Sequence, residues 1–181
     1  MKRYERVFWL FVIFTFTSMI ADRLLFVFMP MYMLKLGFSA TEVGVVFSIA
    51  SLALILSRFL LGKLSDVIGR KPLLSLGLLL QSIAIASYSF ITSVLAFSLA
   101  RFVKNFGETL VAATTDAIPA DEFPKRIRAK LLRKLGNLFP VARALAAILG
   151  ILISSYLAHI HAFLLAATCA FSSFLLFTFF Y

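Results

Sequence analysis

Asp22 and Arg23 interrupt an apolar run that extends from Val7 to Leu36, and Arg101, Lys104, Asn105 and Glu108 interrupt another that reaches Thr115. Carboxylates in such places can take up and release protons. Guanidinium and ammonium groups there can hold an anion, because little water is present to screen them. Positions 101, 104, 105 and 108 fall on one helical face, which Ala112 and Thr115 extend, so this group forms a polar stripe on an apolar rod. Charge at the centre of a bilayer costs about 2.5–3.5 kcal/mol per residue on insertion scales, so these groups must face one another or a wet cavity. Two readings are open. In one the charges cancel internally, with Lys104 bonded to Glu108 in its own helix and Asp22 satisfied by Arg101. In the other, Asp22 or Glu108 carries a proton and Arg23, Arg101 or Arg143 contacts an anion. Arg23, Arg101, Lys104 and Arg143 outnumber Asp22 and Glu108, which favours an anionic or carboxylated solute.

The elements that position these groups are membrane helices. Of 181 residues, 62% are hydrophobic and only 14% are charged. The mean hydropathy is +1.01. No polar shell could cover so much apolar surface in water. Spans are expected at 8–34, 42–61, 72–92, 94–117, 136–158 and 162–181, in one six-helix domain over 1–181 without a linker. Unbroken apolar runs of this length satisfy their backbone groups only as helices, whereas barrel strands would alternate polar and apolar residues. The fold class is therefore all-α, a polytopic membrane protein. Pro30 lies inside the first span, which is longer than a bilayer needs and can tilt or kink.

A net charge of +10 raises the question of nucleic-acid binding, but the cations sit in short loops with no base-stacking or base-reading groups among them. They follow the rule that keeps positive charge inside the cell: Lys2, Arg3 and Arg6 before the first span, Lys63, Arg70 and Lys71 after the second, and Lys125 to Lys134 after the fourth. That pattern places both termini in the cytoplasm and the protein in the cell membrane. Met1 to Ala21 has the outline of an export signal, but Met19 is too bulky for the position it would hold before a cut, so the segment reads as a retained anchor. The connection from Asp116 to Leu135 reads as an interfacial helix after Pro124, because Ile127, Leu131, Leu132 and Leu135 recur at helical spacing among six cations. His159 and His161 flank a short turn as polar end-stops, without the further ligands that zinc needs. The lone Cys169 says nothing of redox compartment. Nucleophile triads and phosphate-cradling glycine loops are absent, so no enzyme activity, cofactor or metal is expected.

One charged, glycine-punctuated stretch separates the second and third spans: GKLSDVIGRK, Gly62 to Lys71. Gly62 and Asp66 share a helical face. Gly69 can supply the unusual backbone angles of a sharp reversal, and Pro72 fits the first turn of the next helix. The stretch resembles the hallmark of the major facilitator superfamily of secondary transporters, Gly-x-Leu-Ala-Asp-Arg-x-Gly-Arg-Lys, with Gly62, Leu64, Asp66, Gly69, Arg70 and Lys71 in register. Ser65 and Val67 depart from that pattern. Arg101 with Gly107 is similar to the family's fourth-helix pattern, and Pro124 with Arg128 and Ala129 to its fourth loop.

The resemblance implies the first half of a twelve-helix bundle, built as a 3+3 inverted repeat, that moves a small solute by alternating access with proton coupling. It implies that Asp66 faces a helix of the second half, and that Arg70 pairs near Asp116 or Asp121, with Arg128 close by, as a gate. The family's cavity is lined by its first and fourth helices, which here carry the intramembrane charges. A second six-helix unit, from a second copy, a separate chain or the remainder of a longer one, is then expected to cover them. The competing expectations are a six-helix assembly or regulatory partner that transports nothing, and drug efflux, for which the fifth span offers only Gly136, Pro140 and Gly150.

Overall fold

A computed structural model describes the backbone of residues 2–122, 124–156 and 159–180, and the side chains of these except 2–7, 27, 58, 60–67, 116, 118–122, 135, 139, 143, 150–156, 159, 160 and 180. The described residues form six helices and no strand: α1 Lys2–Lys35, α2 Ala40–Ile68, α3 Arg70–Ser87, α4 Val94–Glu122, α5 Lys125–Tyr156 and α6 His159–Phe180.

The joints are short and chemically specified. After α1, Phe38 N–H bonds back to the Met33 carbonyl around Gly37, whose φ of 89° suits a residue without a Cβ. Ser39 and Glu42 then bond reciprocally: the Ser39 hydroxyl accepts from the Glu42 N–H at 3.2 Å, and the Glu42 carboxylate accepts from the Ser39 N–H at 2.8 Å, a capping box that starts α2. Gly69, at φ 87° and ψ 159°, is all that separates α2 from α3. The connection expected from Asp116 to Leu135 is shorter than its polarity suggested. α4 runs on to Glu122 and α5 starts at Lys125, with the Ile127 and Arg128 N–H groups bonded to the Pro124 carbonyl. The apolar side of that segment divides: Leu131 is fully buried in a cluster with Phe8, Phe11, Leu74, Leu78 and Phe177, with Ile127 and Leu138 against it, whereas Leu132 is exposed.

The helices pack in the order α2, α4, α3, α6, α1, α5, each chiefly against its neighbours in that row. Exchanging each helix with the one three further along the chain maps this packing onto itself: α3 on α4 becomes α6 on α1, α2 on α4 becomes α5 on α1, and α3 on α6 is its own image. That symmetry is the signature of a 3+3 repeat, and it makes α1 and α4 counterparts. Far from the basic loops, Tyr32, Tyr88, Phe97 and Phe163 close the bundle with ring centroids 5.0–6.2 Å apart. Among the described residues, Phe8–Lys35, Ala40–Ser57 and His161–Phe179 are each apolar and long enough to cross a membrane. The other three helices are more heavily charged: Arg70 and Lys71 open α3, Arg101, Lys104 and Glu108 lie within α4, and six cations from Lys125 to Lys134 open α5.

Candidate functional site

The polar stripe of α4 meets α1 and α2 halfway along the bundle. Lys104 is the centre. Its ammonium donates to Asp22 on α1 and, at 2.8 Å, to the Glu108 carboxylate one turn along its own helix. The Lys104 side chain is only 6% exposed, against 18% for Asp22 and 38% for Glu108, so the cation is the buried partner and Glu108 the carboxylate nearest water. Two anions around one ammonium let a charge persist in a low dielectric, where an isolated lysine would not. Arg23 Nε lies 3.9 Å from the other Asp22 oxygen. α1 and α4 are not packed backbone to backbone here, so long side chains reach across the gap between them.

This arrangement corrects one expectation. Asp22 is satisfied by Lys104 and not by Arg101. The Arg101 guanidinium carbon lies over the Phe47 ring of α2, 3.7 Å from its centroid, and Nη1 donates to the Met29 sulfur at 2.8 Å. Arginine stacks readily because its planar group is weakly hydrated, and lysine could not replace it there. Asn105, on the same stripe, donates to the Ala50 carbonyl at 3.0 Å and fastens α4 to α2.

Two clefts flank the ionic cluster, sharing Asp22, Arg23 and Glu108 as a common wall. One, of about 270 Å³, is also lined by Thr15, Ser18, Gln81 and Thr115. The other, of about 220 Å³, lies toward α2 and is lined by Phe26, Phe47, Arg101 and Lys104. The structure thus brings Asp22, Arg23, Arg101, Lys104, Asn105 and Glu108 to one place. The Arg143 side chain lies outside the described residues, as do those of Gly62, Asp66, Asp116 and Asp121. At the basic end, the exposed Arg70 donates from Nη1 to the Ala117 carbonyl of α4 at 3.1 Å, beside Asp116 in sequence. Gly69 and Lys71 stand with it at the start of α3, and Arg128 is half-buried in the first turns of α5.

Sequence reasoning missed three residues of this region. Phe47 and Met29 look like ordinary apolar positions, and nothing in their spacing announces a guanidinium. Gly77 is the third: a Cβ built on it would meet the Gly107 carbonyl oxygen at 2.8 Å, and one on Gly107 would meet the Gly77 oxygen at 2.7 Å. α3 and α4 therefore touch through their backbones directly behind the polar stripe. A lone glycine inside an apolar run was the available signal.

Comparisons with known proteins agree with this architecture. The chain is 27% identical over 111 residues to an uncharacterised MFS-type transporter of Methanocaldococcus jannaschii, covering 61% of this chain and 29% of that one. It is 30% identical over 127 residues to the multidrug resistance protein MdtL of Shewanella oneidensis, covering 69% of this chain and 32% of the relative. The matches thus span about a third of these relatives' length. The crystal structure of the human organic anion transporter MFSD10 (TETRAN) superposes with a TM-score of 0.74 at 22% identity, over 96% of this chain and 46% of that one, which shows a shared fold. The profile of the Major Facilitator Superfamily matches residues 11–181, nearly the whole sequence, and the chain belongs to that family of membrane transporters.

Proposed function

We propose that this chain forms half of the solute path of a secondary transporter that works by alternating access and is driven by protons at the Asp22–Lys104–Glu108 cluster. The observation that carries the reading is the double engagement of Lys104, which bonds one carboxylate across a helix gap and one within its own helix, between two clefts. The two carboxylates then have different parts. A proton on Asp22 removes the attraction that draws α1 toward α4, whereas a proton on Glu108 breaks only a bond within α4 and leaves the helices joined. Glu108, the more exposed, receives the proton, and Asp22 passes its effect to the helices.

The solute is small and anionic, since the cluster holds more cations than carboxylates. A second six-helix unit faces the open clefts, with Gly62, Asp66, Gly69, Arg70 and Lys71 as a gate at the basic end and Asp116, Asp121 and Arg128 as its partners. The basic loops face the cytoplasm and the protein resides in the cell membrane. These groups bind and move protons, and no enzymatic step is assigned to them.

Reconstitution in vesicles that enclose a pH dye tests the assignment, with a solute first identified by thermal-shift screening of organic anions. Asp22→Asn is expected to abolish solute-driven proton movement, and Glu108→Gln to reduce it while the protein still inserts. Unchanged proton flux in both variants would reduce the cluster to internal charge cancellation.

A further inference from the structure

Among the described residues, Arg101 is a buried charge left short of hydrogen-bond partners. Only 8% of the residue is exposed, and its Nε is buried with no hydrogen-bond partner. No carboxylate among the described residues pairs with it. Lys104 takes up Asp22 and Glu108, and Arg23 stands beside Asp22. Around the clefts three described cations, Arg23, Arg101 and Lys104, therefore face two described carboxylates, and the excess positive charge rests on Arg101. A buried, under-bonded guanidinium is costly unless something supplies the missing acceptor. Its present partner, the Met29 thioether, is a weak acceptor that a carboxylate would displace.

The surroundings define what else the ligand must be. With the Phe47 ring 3.7 Å from its carbon and only a thioether on Nη1, the guanidinium suits a planar, two-oxygen anion that takes that donor. Beside it Phe26 meets Phe47 edge to face at 6.4 Å, and Leu25 and Leu54 complete an apolar wall. The neutral donors of this cleft are already engaged: Ser51 bonds the Phe47 carbonyl at 3.0 Å and Asn105 bonds the Ala50 carbonyl. On the side of α2 the cleft is thus apolar apart from the guanidinium, which suits an apolar body better than a sugar or polyol. One negative charge neutralises the excess, and a second would reverse it.

We propose that Arg101, stacked on Phe47 in the cleft beside α2, receives the carboxylate of a small monocarboxylate whose apolar, preferably aromatic, body lies against Phe26 and Phe47. This rests on the reading of the cleft as the solute path and adds to it the receptor and the ligand's chemical class.

Equilibrium binding to the purified protein in mild detergent tests it without requiring transport, using benzoate, benzamide and acetate as probes. Benzoate is expected to bind, and its uncharged isostere benzamide and the bodiless acetate each to bind at least about tenfold more weakly. Arg101→Gln should weaken benzoate by about thirtyfold or more, the loss typical when one partner of a buried charge pair is truncated, and Phe47→Leu by several fold. Equal binding of benzoate and benzamide overturns the carboxylate assignment. Equal binding of benzoate and acetate overturns the apolar body. If Arg101→Gln does not fold, those two wild-type comparisons together with Phe47→Leu still decide. Benzoate binding without any proton movement in vesicles would sink the coupling and leave this site standing, whereas coupled transport with no benzoate binding would do the reverse.

Discussion

The two sides of α4 are built on opposite plans. Toward α3 it presents Gly107, Leu110 and Val111, and at Gly77 the two backbones meet with no side chain between them. Toward α1 and α2 it presents Arg101, Lys104, Asn105 and Glu108, and there the gap is crossed by ammonium, guanidinium and amide groups. The first seam derives its energy from shape, which admits one arrangement and has no graded alternatives. The second derives it from charge, and a proton or an anion can redistribute it. One helix thus holds a fixed partner on one side and an exchangeable one on the other. That is what a helix needs if it is to move as a unit with α3 while its contacts with α1 are made and broken.

The largest effect should come from filling the fixed seam. Gly107→Leu places a side chain where even a Cβ lies 2.7 Å from a carbonyl oxygen and 3.2 Å from the Gln81 backbone N, and neither can step aside cheaply. Overpacking of this kind costs about 1–3 kcal/mol, and backbone against backbone places it at or above the upper end. Size-exclusion chromatography of the variant should show aggregate. A monodisperse protein with unaltered melting would show that the seam yields.

The exchangeable seam should respond to charge and forgive its balanced removal. Lys104→Met alone leaves two carboxylates without their cation and is expected to cost about 3 kcal/mol, the lower end for a broken buried pair because Asp22 and Glu108 keep some contact with water. Adding Asp22→Asn should recover most of that loss while leaving transport dead. Thermal melts of the two single variants and the double one form a cycle that measures the coupling. Simple additivity would mean that the bond across the gap contributes nothing.

The smallest effect sharpens the contrast with a bond that carries no charge. Thr17 on α1 and Ser173 on α6 share a hydroxyl hydrogen bond of 2.6 Å. Thr17→Val should cost about 0.6 kcal/mol, the average for such bonds between membrane helices, and the Thr17→Val/Ser173→Ala pair should cost little more. A loss as large as that of Lys104→Met would mean that polarity in the membrane, and not charge, organises the bundle.

Much of this was legible before the structure. The polar stripe could be read because Arg101, Lys104, Asn105 and Glu108 keep helical spacing in an apolar run, and the bond between Lys104 and Glu108 follows from that spacing alone. The partner of Asp22 could not be read. It lies 82 positions away on another helix, and several cations of suitable reach stood near it in any arrangement. The choice between Lys104 and Arg101 depends on which side of α4 faces α2, where Phe47 waits for the guanidinium. Length misled in the other direction. The stretch Asp116 to Leu135 was read as a connection with a separate interfacial helix after Pro124, but a helix that has left the lipid has no reason to stop, so α4 runs on to Glu122 and that helix is the start of α5.

The glycine contact between α3 and α4 also has an electrical consequence. In the proton-driven cycle proposed above, any continuous file of water through the bundle would let protons leak down the gradient that drives it. Where Gly77 and Gly107 press their backbones together there is no room for such a file, so that side of α4 insulates. On the proposed mechanism the proton path is then confined to the face where Lys104 stands, and there it meets the carboxylates of Asp22 and Glu108.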